Sequence, residues 1–348
     1  QAIPIVVMIM LGSGLLDLVH LKANQDFWIA YLAVLPVTFF IFFVYSRIVK
    51  LFPQKNLLEI LSLLYGKIAG NIIYGLFVFY AFTLGCILPR HFAEYIQTIS
   101  LPETPLYAYT ICFILVGIYI ARYGIKTLGR WSFFALPVAI FIFLLTIVFS
   151  INLFDPENLK PSFQSSISMI ADNTWNFFAA PLGECVLFLL LFDSLKDSKE
   201  IKKVYFIALP IGITLLLLGM FRNILVLGIE NDKLLANASI GSVSVIQVSS
   251  FFERIEVIIT ILLIVCGITK EAALLIGTGK GVAKLLKFDS ERPVIAPIGL
   301  LMLMLALNFF ERYAAHLEEW FNAYRVFFLP QQVFIPLITW IVAEIKVK

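Results

Sequence analysis

The chain has 348 residues, 61% hydrophobic and 15% aromatic, with only 14% charged and a formal net charge of +3. Soluble domains carry about a quarter charged residues, and the basic residues here form no nucleic-acid face. Apolar runs near twenty residues recur from end to end, so the chain reads as a polytopic helical membrane protein. The ~10-residue alternation of a transmembrane barrel is absent.

In chain order, ten spans are predicted at 3–19, 27–49, 70–96, 104–122, 128–151, 171–194, 204–229, 254–279, 293–311 and 320–345. The stretch "FWIAYLAVLPVTFFIFFVYSRIV" (27–49) alone can cross a hydrocarbon core of about 30 Å. Between spans two and three, "NLLEILSLLYGKIAG" (56–70) opens with Asn56 and has Glu59 three residues on. That pattern predicts a capping box and a short amphipathic helix along the interface. The polar connection "NLFDPENLKPSFQSS" (152–166) leaves five spans on each side. A second long connection, 231–252, carries the glycosylation-type tripeptide "NAS" (237–239), a match that arises often by chance.

Of the 26 Lys and Arg residues, 17 fall in one set of alternate connections, beginning with Arg47, Lys50, Lys55 and Lys67, and seven fall in the other. The positive-inside rule then places both termini in the cytoplasm. Since the numbering starts at Gln1 without a Met, a short native N-terminal segment is expected to precede it. Cys86, Cys112, Cys185 and Cys266 lie in apolar segments without CxxC spacing and read as small hydrophobes, not a disulfide or metal set.

Two spans carry interruptions at matching places. Span one, "AIPIVVMIMLGSGLLDL", has Gly12, Ser13 and Gly14 at its middle; span six, "FFAAPLGECVLFLLLF", has Pro181 and Gly183, followed by Glu184. Paired interruptions in the first helices of two halves point to a transporter-type site at the membrane midplane. An opened helix frees backbone groups that hydrocarbon cannot satisfy, so the break must line a cavity. Close helix packing is the competing reading of the small-residue cluster. If the helix restarts after Leu182, Glu184 sits in its first turn, either as a cap or as the partner of a ligand ammonium. Lys270, in "LIVCGITKEAALLIG", is a second intramembrane charge: a paired or snorkelling structural lysine, or a fixed charge in place of a coupling cation. Arg222, about seven residues from the end of span seven, reads as a snorkelling structural group.

An enzyme is not expected. His20, His91 and His316 are scattered, and "GTGKG" (277–281) lacks the preceding Gly and following Ser or Thr of a phosphate loop.

The stretch "MLGSGLL" is similar to the first-helix signature of the amino acid–polyamine–organocation transporter superfamily, whose members share a five-plus-five inverted-repeat fold. Five further stretches resemble the endospore germination permeases, the B subunits of nutrient germinant receptors: "LFPQKNLLEILSLLYGKIAGNIIYG" (51–75), "LPRHFAEYIQTISLPETPLYA" (88–108), "ARYGIKTLGRWSFFALP" (121–137), "APLGECVLFLLLF" (180–192) and "FFERIEVII" (251–259). The chain departs from that pattern at Lys126, where the "RYGI" stretch leads one to expect an acidic residue; the position reads as a cytoplasmic loop or subunit contact.

The resemblance implies a fold of ten transmembrane helices with helices 1 and 6 discontinuous, in one transmembrane domain. It also implies a receptor subunit in the inner membrane of a bacterial spore, responding to an amino acid or sugar and working with germinant receptor A and C subunits, without a cofactor or nucleic acid. Carried onto this chain, the ligand site lies between Gly12, Ser13 and Gly14 and the stretch from Phe178 through Pro181 and Gly183 to Glu184, with Tyr80 and Thr83 as polar candidates on span three. A zwitterionic amino acid would place its carboxylate on the N–H groups of Gly12–Gly14 and its ammonium near Glu184. The competing functions are a proton-coupled amino-acid transporter working through Glu184 or Lys270, and part of a ligand-gated ion conduit.

Overall fold

Backbone polar groups in hydrocarbon must be satisfied within their own segment, and accordingly the described elements are helical, with no strand among them. The computed structural model describes residues 1–14, 24–99, 103–195, 200–234, 238–244, 256–308 and 317–347. His20, Asn237 of the glycosylation tripeptide and His316 lie outside them.

The helices are α1 (Ala2–Gly14), α2 (Phe27–Leu51), α3 (Leu57–Tyr65), α4 (Lys67–Ile99), α5 (Leu106–Arg122), α6 (Ile125–Ser150) and α7 (Ile167–Phe177). After the irregular segment 178–194 follow α8 (Ile201–Leu234), α9 (Ala238–Ser244), α10 (Glu256–Leu286), α11 (Arg292–Asn308), α12 (Leu317–Leu329) and α13 (Ile335–Val347). Among the described residues, six helical stretches are long and apolar enough to cross a membrane, and Ala2–Gly12, α5 and α11 are shorter apolar helices. Large apolar side chains point outward, Phe134 72% and Met304 63% exposed, as a lipid-facing surface requires. This is a multi-pass membrane protein.

The capping box expected at Asn56 is present: Asn56 Oδ1 accepts from the Glu59 N–H at 3.2 Å, and Glu59 Oε2 accepts from the Asn56 N–H at 2.9 Å. The helix it starts is shorter than the sequence suggested. Gly66, at φ +82°, takes a left-handed conformation that glycine tolerates, so residues 67–70 begin α4 instead of extending α3. Asn56→Ala should remove about 1 kcal/mol from α3. Hydrogen exchange of the α3 amides should accelerate accordingly, with the rest of the bundle unchanged.

The centre of the bundle is α10, which packs against α1, α4, α5, α6 and α11. The ends are fastened by polar contacts. At one end, Asp193 accepts from Lys280 at 2.8 Å and Lys284 at 2.5 Å, and Arg47 pairs with Glu344 at 2.6 Å. At the other, Asp26 accepts from the N–H groups of Phe163 and Ser165. Arg222 does not snorkel. It is 1% exposed, donating to Thr146 Oγ1 at 2.8 Å, Asn223 Oδ1 at 2.8 Å and the Ser239 carbonyl at 2.9 Å. The hydroxyl and amide groups beside it supply acceptors inside the bundle, so its guanidinium has no need of the surface.

Candidate functional site

Span six breaks where Pro181 and Gly183 suggested. α7 ends at Phe177, one π-type turn covers Phe178–Leu182, and a 3₁₀ segment runs from Gly183 to Leu190. Inside the turn, Ala180 is extended at φ −140°, ψ 116°. Proline removes a donor and clashes with the preceding turn, so the ladder cannot continue. The carbonyl of Ala179 is taken instead by Gln332, whose Nε2 donates to it at 2.8 Å. Gln332 sits in a second π-type turn, Pro330–Phe334, between α12 and α13. Such turns are frequent at functional sites.

From Gln332 a buried polar chain crosses the bundle. Its Nε2 also donates to the Tyr80 hydroxyl at 2.7 Å; the Tyr80 and Tyr324 hydroxyls are 3.0 Å apart; Tyr324 donates to Glu184 Oε1 at 2.8 Å. A phenol has one proton, and that of Tyr324 goes to the carboxylate, so Tyr80 is the donor between the two tyrosines. On its other oxygen, Glu184 receives the Lys270 ammonium at 2.6 Å, with the two side chains 3% and 1% exposed. Phe328 stacks on Tyr80 with ring centroids 4.3 Å apart. The polar chain is thus walled by aromatic surface, where electrostatic interactions are stronger than in water.

The space left here is small. A void of about 10 Å³ lies beside Lys270, lined by Ile9, Leu187, Leu190 and Gly277 among others, enough for about one water molecule. A larger cleft of about 420 Å³ opens toward the lysine-rich end, between Ile3, Lys126, Glu200 and Lys203, with Phe188 and Leu191 in its wall.

A family model described as "Spore germination protein" matches residues 1–312. The chain belongs to this family. Spore germination protein KB of Bacillus subtilis (strain 168) is 29% identical over 353 residues, spanning 100% of this chain and 94% of that protein. Spore germination protein A2 of the same organism is 35% identical over 196 residues, 54% of this chain and 53% of the relative. A putative spore germination protein, YfkT, is 28% identical over 239 residues, 68% and 65% of the two chains. The match to germination proteins agrees with the resemblance carried by the quoted stretches.

Within this germination family member, the structure gathers Tyr80, Phe178, Pro181, Gly183, Glu184 and Lys270 around the break, and it bears on four of the sequence readings. First, Gly12, Ser13 and Gly14 are not an opened segment; all three are helical, within the described part of α1. Their N–H groups lie within the helix and are used by its own ladder, so they are not free to receive a ligand carboxylate. Close packing is what the glycines serve. A Cβ on Gly12 would stand 3.2 Å from the Cys266 carbonyl and the Lys270 Cβ, and one on Gly14 would stand 2.6 Å from Leu216 and 2.9 Å from Pro181. Gly14→Val therefore acts by prising α1 from its neighbours, not by excluding a ligand.

Second, Glu184 does lie in the first turn of the 3₁₀ segment, as expected, but no side-chain cap bond is formed there; its carboxylate accepts from Lys270 and Tyr324. Third, Lys270 does not snorkel, since the anion it needs is inside the bundle. Fourth, Thr83 is not part of the cluster; its hydroxyl donates to the Phe79 carbonyl of its own helix at 2.9 Å, the usual fate of a threonine facing outward from a helix. Sequence reasoning missed Tyr324 and Gln332. The available signal was "LPQQ" (329–332), a proline and two amides inside an apolar run.

Proposed function

We infer that the chain is the nutrient-sensing membrane subunit of a spore germinant receptor, in the inner membrane of the spore with both termini cytoplasmic. Its ten spans form two inverted five-helix repeats, and it signals to A and C partner subunits. The observation that carries this reading is the Glu184–Lys270 pair, buried beside a broken helix at the bundle centre. An amino acid is itself a zwitterion. Inserted between the two side chains, its ammonium takes the place of the Lys270 ammonium on Glu184, and its carboxylate takes the place of Glu184 on Lys270. Every buried charge stays paired through the exchange.

The void beside Lys270 is far too small for such a ligand, so binding requires α10 and the 178–190 segment to part. A ligand that is held only by the parted state shifts the population toward it, and partner subunits packed on the bundle read that shift. Sensing needs this difference in affinity; transport does not follow from it.

The test is a thermal-shift screen of the purified full chain in detergent against amino acids and sugars. An amino acid should raise the unfolding midpoint, while its deaminated acid and its amide should not, because each lacks one of the two charges. The labelled amino acid should not accumulate in vesicles reconstituted with the chain alone. Accumulation would replace the sensor with a transporter, and equal stabilisation by the deaminated acid would remove the exchange between Glu184 and Lys270.

A further inference from the structure

Glu271 follows Lys270 in sequence, is 0% exposed, and neither of its carboxylate oxygens has a hydrogen-bond partner among the described residues. Successive helical residues point about 100° apart, so while Lys270 faces Glu184, Glu271 enters a different crevice, between α4, α5 and α11. Glycines make the room. A Cβ on Gly117 would stand 2.9 Å from Glu271 Cγ, and one on Gly85 would stand 3.6 Å from its Oε1 and 2.7 Å from Met302. A side chain at either position would compete with the carboxyl group for the crevice.

The charged and titratable groups around it are few. From α4 comes the Cys86 thiol, within electrostatic reach of Glu271, and further along the same helix His91, within reach of Lys270. The buried faces of α5 and α11 bring Phe113, Ile114 and Ile118, and Ile298 and Met302, none of which titrates. From α6, Trp131 donates to Thr269, the residue before Lys270. On α10 itself there is Lys270, whose ammonium is already held by Glu184 at 2.6 Å.

An ionised carboxylate in such a place is far costlier than the neutral acid. A hard metal cation would need six or more oxygen ligands, whereas the neighbours here are a thiol, a thioether and hydrocarbon. We propose that Glu271 is a proton-binding site, held as the neutral carboxylic acid while Lys270 serves Glu184. Loss of the proton leaves two buried carboxylates and one lysine between them. Lys270 then has to divide itself, so proton occupancy at Glu271 and the integrity of the Glu184–Lys270 pair are linked, each altering the other by the same factor. This linkage is a property of the chain without nutrient, and it does not rest on the sensing function.

Infrared spectra of the purified full chain in lipid nanodiscs near neutral pH test it. The carbonyl stretch of a protonated carboxylic acid should be present in the unmodified protein and lost in Glu271→Gln. Absence of the band from the unmodified protein, or its survival in Glu271→Gln, would overturn the proposal. Should Glu271→Gln not fold, Glu271→Asp keeps the acid but alters its surroundings and should shift the band; an unshifted band would equally overturn it. In Glu184→Gln, Lys270 is released to Glu271, and the band should fall by the amplitude of one carboxyl group. A band at full strength there would refute the linkage through Lys270.

Discussion

Replacing Lys270 with methionine is expected to cost about 3–5 kcal/mol of stability, the usual penalty for removing one partner of a buried ion pair. Glu184 would keep the Tyr324 hydroxyl as a donor but lose the cation opposite its buried charge. Removing both charges is a milder change: Lys270→Met combined with Glu184→Gln should be more stable than Lys270→Met alone, because no charge is then stranded. The opposite single variant should not behave symmetrically. In Glu184→Gln the ammonium of Lys270 can turn to Glu271, its neighbour on α10, so this variant should lose less stability than Lys270→Met. Thermal unfolding midpoints of the three purified variants, compared as a double-mutant cycle, check both statements. Equal losses in the two single variants would show that Glu271 cannot receive the lysine. No loss in either would show that the pair contributes nothing to the fold.

How much of this was legible beforehand depends on whether the deciding partner is near in sequence. The helical class follows from apolar run length, and the α3 cap from two residues three apart, Asn56 and Glu59. The break in span six follows from Pro181 and Gly183, whose conformational limits act locally. The cluster Gly12–Gly14 could not be decided in the same way. Small residues both loosen a helix and admit a neighbour, and the choice lies with the opposing surface: the Lys270 stem, the Cys266 carbonyl, Leu216 and Pro181. Those residues are more than 160 positions away in the chain. Glu184 and Lys270 were each singled out as costly charges in hydrocarbon, yet that they meet is a fact of packing, since periodicity carries no information across 86 residues. Thr83 and Tyr80 lie on one helix three residues apart, and their side chains point to different surroundings. Sequence offers both as polar groups, and burial separates them.

The Gly183–Gln332 contact gives the second large effect, and it arises from geometry that neither residue shows alone. A Cβ on Gly183 would stand 2.6 Å from Gln332 Cδ and Oε1 and 3.0 Å from Nε2. The end of a glutamine side chain ordinarily moves aside at little cost. Here it is held by its bonds to the Ala179 carbonyl and the Tyr80 hydroxyl. Moving it strands a buried carbonyl at the break in span six, at a cost of about 1–3 kcal/mol, and takes one donor from the chain leading to Glu184. Gly183→Ala should therefore lower the unfolding midpoint, although alanine is ordinarily the better helix former. Gln332→Ala abolishes the same two bonds from the other side and should cost a similar amount. Because both substitutions remove one set of interactions, the double variant should be little worse than either single one. Losses that add in full would mean that Gly183 is needed for its backbone alone, and that Gln332 does not close the break.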